Sequence, residues 1–152
     1  SLEKVAQGVV QKNRRILQEI NAHINLHDLQ ICVQSDSKWL EYMVGQVVEN
    51  SIKYRKQDDF TLEIYAEETE NAILLHIKDH GCGIKESEQK KVFDKGFTGG
   101  NGRIASNATG IGLYLCRKPC KRLEHDIRIV SKEGAGTTVT FVFPNSSLTD
   151  MR

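Results

Sequence analysis

The chain has 152 residues, 39% of them apolar and 27% charged, enough for one domain with a sizeable core. Its 21 basic and 20 acidic residues leave a formal charge of +1, which excludes a general electrostatic pull on nucleic acid or on an anionic membrane, so any anion site must be local. No apolar run approaches the roughly 18 residues of a membrane span and no signal peptide opens the sequence, so the expectation is a soluble chain outside the membrane.

In chain order, a helical pattern from Leu2 to about Ile20 runs through Val5, Val9, Ile16 and Ile20, with Lys12, Arg14 and Arg15 between them. The next stretch, 23 to 34, reads as loop plus one strand around Leu29, Ile31 and Val33, with His23 and His27 as surface residues lacking any partner spacing. Asp36 or Ser37 then caps a helix reaching about Tyr54. Its apolar stripe is Leu40, Met43, Val44, Val47, Val48 and Ile52. At about 100° per residue, Gln46, Asn50 and Lys53 fall along one flank of that stripe, and Glu49 projects away. Asparagine is a mediocre helix former, so Asn50 beside the core suggests a task for its side-chain oxygen: ligating a metal, or capping a neighbouring loop.

Two strands in hairpin order follow, Phe60 to Glu67 and Ala72 to Asp79, joined by an acidic, polar turn. In the second, the period of two places Asp79 on the same side as Ile73, Leu75 and Ile77, at the inner edge of an apolar layer. A carboxylate there needs a hydrogen-bond donor, and the exocyclic amine of a purine is one. The next residues, His80-Gly81-Cys82-Gly83-Ile84, place two glycines where a flat ring could approach the backbone.

A short helix near Glu86 to Phe93 precedes Phe97 to Thr109, a glycine-rich stretch without apolar periodicity, which reads as a long mobile loop of the kind that forms lids. Lys95 or Arg103 could meet a phosphate when such a lid closes. The loop ends in Thr109-Gly110-Ile111-Gly112-Leu113 at the start of a helix, whose free N–H groups and dipole suit phosphate. Pro119 interrupts that helix. Strands Ile127 to Ser131 and Thr137 to Phe143 close the domain around the turn 133 to 136, and the tail from Pro144 is polar. Cys32, Cys82, Cys116 and Cys120 lack zinc-ribbon spacing, and a domain of this size does not need disulfides, so a reducing, cytoplasmic setting fits. Cys116 and Cys120, four apart, could meet a metal or be ordinary packing thiols.

Together, QVVENSIKY (46 to 54), DHGCGI (79 to 84), VFDKGFTG (92 to 99), TGIGL (109 to 113) and GAGTT (134 to 138) resemble, in order and spacing, the N, G1, F, G2 and G3 boxes of the catalytic ATP-binding domain of sensor histidine kinases. The wording around SDSKWL, NSIKY and GFTG is similar to kinases that sense cell-envelope stress or antimicrobial peptides in Gram-positive bacteria. The resemblance implies the GHKL fold, an α+β two-layer sandwich with a mixed, mostly antiparallel sheet backed by helices on one face. It implies one catalytic domain over 1–152, with a leading helix and first strand (1–35), a motif-bearing core (36–144) and a loose tail (145–152).

The implied ligands are ATP and Mg²⁺. Asp79 would hold the adenine amine, Asn50 the Mg²⁺, and Lys53 and Tyr54 would lie near phosphates and base. Gly81 and Gly83 would shape the adenine pocket, Phe93 and Phe97 would anchor the lid, and Gly110 and Gly112, between Thr109 and Leu113, would meet the phosphates. Lys95 and Thr138 complete the nucleotide-binding set. Where the related ATPases of the gyrase, MutL and chaperone type carry a water-activating glutamate, this chain has Gln46, which cannot accept a proton.

His80 in place of the family's usual Asn, Pro119, and Glu124 in place of a frequent Gly depart from the pattern. Neither His23 nor His27 is followed by the residues of a phosphoacceptor box. The implied partners are therefore a separate histidine-bearing dimerisation domain of the same kinase and a response regulator, with the intact protein anchored in the plasma membrane by segments absent here. The alternatives are an ATPase, or a nucleotide-binding module without catalysis.

Overall fold

The computed structural model describes residues 1–33, 35–53, 55, 60–81, 126–132 and 134–144. The first helix, α1 (Leu2–Lys12), begins at Ser1, whose Oγ accepts from the Lys4 N–H at 3.5 Å, and it buries Leu2, Val5, Ala6 and Val9 at helical spacing. It stops at Asn13, whose Nδ2 donates to the Val9 carbonyl at 2.9 Å while its backbone leaves helical geometry. The single leading helix expected to Ile20 is therefore two, with α2 (Arg14–Glu19) following the break.

The first strand also differs from expectation. It is β1 (His23–His27), and Ile24 and Leu26 are the residues it turns to the core. Asp28 adopts a left-handed conformation (φ 55°), which an aspartate tolerates, and takes the chain out of the sheet. Leu29, Ile31 and Val33 still pack against the core, but as an irregular segment whose Ile31 carbonyl accepts the Leu2 N–H at 3.0 Å. Their alternation records burial on one side, which a covering segment produces as well as a strand does.

Of the two candidate caps for the next helix, α3 (Ser37–Lys53), Asp36 acts: its Oδ1 accepts from the N–H groups of Lys38 at 3.0 Å and Trp39 at 3.4 Å. The apolar stripe expected on α3 is buried throughout. The hairpin is β2 (Thr61–Glu68) and β3 (Ala72–Asp79), and the last two strands are β4 (Asp126–Lys132) and β5 (Gly136–Pro144). The sheet order is β1-β2-β3-β5-β4, parallel between β1 and β2 and antiparallel elsewhere, the mixed, mostly antiparallel arrangement anticipated.

One face of this sheet, with Leu62, Ile64, Leu75, Ile77, Val139 and Phe141, forms a continuous apolar core with α1 and α3. Each such side chain, fully buried, contributes on the order of 1.5–3 kcal/mol. The ion pair of Lys12 Nζ with Glu41 Oε1, at 3.0 Å, ties α1 to α3 at the surface.

On the other face, strand register lines up His27, Tyr65, His76, Thr140 and Arg128 in one row across all five strands. His27 stacks on Tyr65 with centroids 4.9 Å apart, and Tyr65 meets His76 at 4.8 Å. His23 is exposed as expected. His27 is half-exposed but has partners that linear spacing did not reveal: Nδ1 pairs with Asp28 at 2.7 Å and Nε2 with Glu63 at 2.5 Å.

Candidate functional site

The site forms where the C-terminal end of β3 meets the C-terminal part of α3 and the start of β5. Strand alternation brings Asp79 onto the core face after Leu75 and Ile77, and the carboxylate is 8% exposed. Three donors reach it. Ser51 Oγ donates to Oδ2 at 2.9 Å, and the N–H groups of Gly81 and Thr137 donate to Oδ1 at 2.8 and 3.3 Å. Burial raises the carboxyl pKa above its ordinary value and outweighs these hydrogen bonds, which act in the opposite direction. Among the described residues Oδ2 receives one hydrogen bond, so it retains acceptor capacity for a ligand's N–H.

The approach of β5 to Asp79 depends on Gly136. Its φ is +126°, and a Cβ there would come within 2.8 Å of the His80 Cα and closer still to the Asp79 carbonyl oxygen. Glycine lets the backbone of β5 lie directly on the end of β3, in register with Asp79 opposite Thr137. The turn before it passes through Gly134, also at positive φ (84°).

One residue before Ser51 on α3 stands Asn50. Its Nδ2 is buried and has no hydrogen-bond partner among the described residues, a costly arrangement that a ligand could relieve. Gln46 is half-buried one turn earlier, and Lys53 is exposed in the last turn. Gly81 is buried and joins the carboxylate directly.

Thr138 is not brought to Asp79. It pairs with Lys78 and Val130 in register, so strand alternation puts it on the open face of the sheet. Its neighbour Thr137 faces Asp79 instead, with Oγ1 2.8 Å from Ser131 Oγ. Tyr54, Gly83, Phe93, Lys95, Phe97, Thr109, Gly110, Gly112 and Leu113 lie outside the described residues, as do the expected lid, the helices beside it, the tail, Cys82, Cys116 and Cys120. Cys32 is a free, exposed thiol.

Sequence reasoning missed Ser51 and Thr137. The signal for Ser51 was present: at helical spacing it falls within the apolar stripe, four after Val47 and seven after Val44, a polar residue where only a buried partner could hold it.

Residues 35–147 match the model of the histidine kinase-, DNA gyrase B- and HSP90-like ATPases. The chain belongs to this family. The match takes in nearly the same span as the motif-bearing core, and membership carries ATP use with it. Over 149 residues the chain is 36% identical to the sensor histidine kinase YxdK of Bacillus subtilis, an alignment covering 94% of this chain and 44% of that protein. It is 34% identical to the sensor histidine kinase GraS of Staphylococcus epidermidis, covering 97% of this chain and 42% of that one. The chain thus spans under half the length of these relatives. Its fold is that of the mycobacterial sensor histidine kinase MprB, with a TM-score of 0.82 at 20% identity over 94% of this chain and 95% of that one.

Proposed function

We propose that this chain is the catalytic ATP-binding domain of a sensor histidine kinase, passing the γ-phosphoryl of ATP to a histidine on a separate dimerisation domain. The observation that carries the proposal is the pairing, on adjacent elements, of a buried carboxylate with acceptor capacity to spare and an asparagine amide without a partner. Asp79 accepts from the adenine amine, where guanine would present a carbonyl and be repelled.

The Asn50 amide suits a Mg²⁺ ligand through its oxygen, because Mg²⁺ is usually held by one or two protein groups together with substrate phosphates. The ion supplies neutralisation of the charge on the phosphate oxygens. Lys53 offers a cation at the same end of α3. The acceptor imidazole attacks phosphorus with its own lone pair, the bond from the γ-phosphorus to the bridging oxygen breaks, and ADP leaves. Gln46 orients without removing a proton, which suits a nucleophile that needs no base. The partners are the dimerisation domain and, downstream, a response regulator, and the domain works on the cytoplasmic side of an anchored kinase.

The test measures radiolabel transfer from ATP beside phosphate release. Alone, the chain should bind ATP in the presence of Mg²⁺, hydrolyse it very slowly and label none of its own histidines. With the dimerisation domain it should transfer phosphate, and Asn50→Ala should abolish transfer. Rapid phosphate release indifferent to the acceptor domain would assign an ATPase instead, and ATP binding with neither activity a non-catalytic module.

A further inference from the structure

The flank of α3 that carries Gln46, Asn50 and Lys53 continues beyond Gln46. At about 100° per residue, Trp39 and Tyr42 extend it toward the helix N-terminus. Both are exposed, by 44% and 36%, and their rings meet edge to face at 5.7 Å and 89°. Leu40, Met43 and Val44, interleaved with them, are buried, so the pair is an apolar patch on the solvent side of a well-packed helix. The one other large hydrophobic exposed among the described residues, Val130, lies away on β4.

Direction along α3 identifies the occupant. Ser51 holds Asp79, so the base end of a nucleotide belongs near the helix C-terminus. Asn50 and then Gln46 come next toward the N-terminus, so a triphosphate starting at Asp79 and passing Asn50 sends its γ end toward Gln46. Trp39 lies seven residues further, about 10 Å at 1.5 Å per residue. An acceptor imidazole must come within about 3–3.5 Å of the γ-phosphorus. The helix bearing it is about 10–12 Å across, so it must also cover surface about that far beyond the phosphate. The Trp39–Tyr42 patch occupies that position.

We propose that Trp39 and Tyr42 seat the helix of the dimerisation domain that presents the acceptor histidine, by packing against apolar residues flanking that histidine. This inference rests on the kinase reading above.

Trp39 is the chain's single tryptophan, so its emission reports the patch directly. The experiment titrates the dimerisation domain, with phenylalanine at any tryptophan position, into this chain with Mg²⁺ and ATP, following emission and phosphoryl transfer together. Emission should shift to the blue on docking. Trp39→Ala should raise the KM for the acceptor domain about tenfold, the scale of a buried aromatic anchor, and leave ATP affinity and kcat at saturation unchanged. Trp39→Phe should recover most of the loss.

Transfer by the unsubstituted chain with unmoved emission, or an unchanged KM in Trp39→Ala, would overturn the docking surface alone. An emission shift driven by this chain's own concentration would assign the patch to a second copy and overturn it too. Neither ATP binding nor transfer by the unsubstituted chain would remove the kinase reading and this inference together.

Discussion

Two polar clusters occupy opposite faces of the same sheet, and different physics governs their protonation. Asp79 lies on the core face under α3, where loss of water dominates and raises its pKa despite three hydrogen-bond donors. His27 lies on the open face, where water remains and the Asp28 and Glu63 carboxylates raise its pKa by stabilising the imidazolium. Both shifts are upward, yet they mean opposite things for stability. The buried acid is less favourable when charged, and the exposed base is more favourable when charged. A site built on desolvation holds a strong interaction in reserve for a ligand; a solvated cluster of ion pairs contributes a small, screened increment to the fold.

The largest expected effect removes the close approach on which the buried cluster depends. Gly136→Ala should destabilise the domain by about 2–4 kcal/mol, because the new Cβ meets the backbone of Asp79 and His80 at a φ that alanine resists. Chemical denaturation measures it, and a loss under about 0.5 kcal/mol, the scale of an ordinary surface change, would show that β5 can move away at little cost.

Asp79→Asn should weaken ATP binding about 100-fold or more by replacing the acceptor facing the base, while leaving the melting temperature unchanged or higher. The sign follows from the raised pKa. Ionised Asp79 opposes folding at neutral pH, and the folded state gains stability as pH falls through the folded pKa toward 3.8. Calorimetry and thermal melts together test this; a clear drop in melting temperature with ATP affinity retained would reverse the assignment of Asp79 from ligand group to structural strut.

Ser51→Ala removes one donor and should raise the Asp79 pKa further, seen by carbon-detected NMR titration of the carboxyl. ATP affinity should fall about tenfold, the cost of a lost bond to a charged group. An unshifted titration would mean that Ser51 does not sense the charge.

On the open face, His27→Gln should produce the smallest change, and one with a pH signature. The stabilisation from charged His27 is fully present below 6.5 and lost as pH rises through the raised folded value. The variant's deficit in thermal melts should therefore be larger in acid than in alkali and shrink with salt. A deficit independent of pH would mean that stacking on Tyr65, not charge, carries the contribution.

Much of this protein was legible from local pattern. The α3 stripe, the alternation of β2 and β3, the core-facing placement of Asp79 and the flank shared by Gln46 and Asn50 all follow from periods of 3.6 and 2, which need no knowledge of what packs opposite. Tertiary structure decided what depends on residues far apart in the chain. Leu29 to Val33 has a strand's alternation, but the left-handed turn at Asp28 and the hydrogen bond to Leu2 made it a covering segment. Ser51 and Thr137 became partners of Asp79 because a helix and a strand, 28 and 58 residues distant in sequence, converge on one carboxylate. Thr138, adjacent to Thr137, faces the other way. Periodicity assigns each residue a side of its own element, whereas a site requires several elements to bring those sides together, and that convergence is set by packing of the whole core.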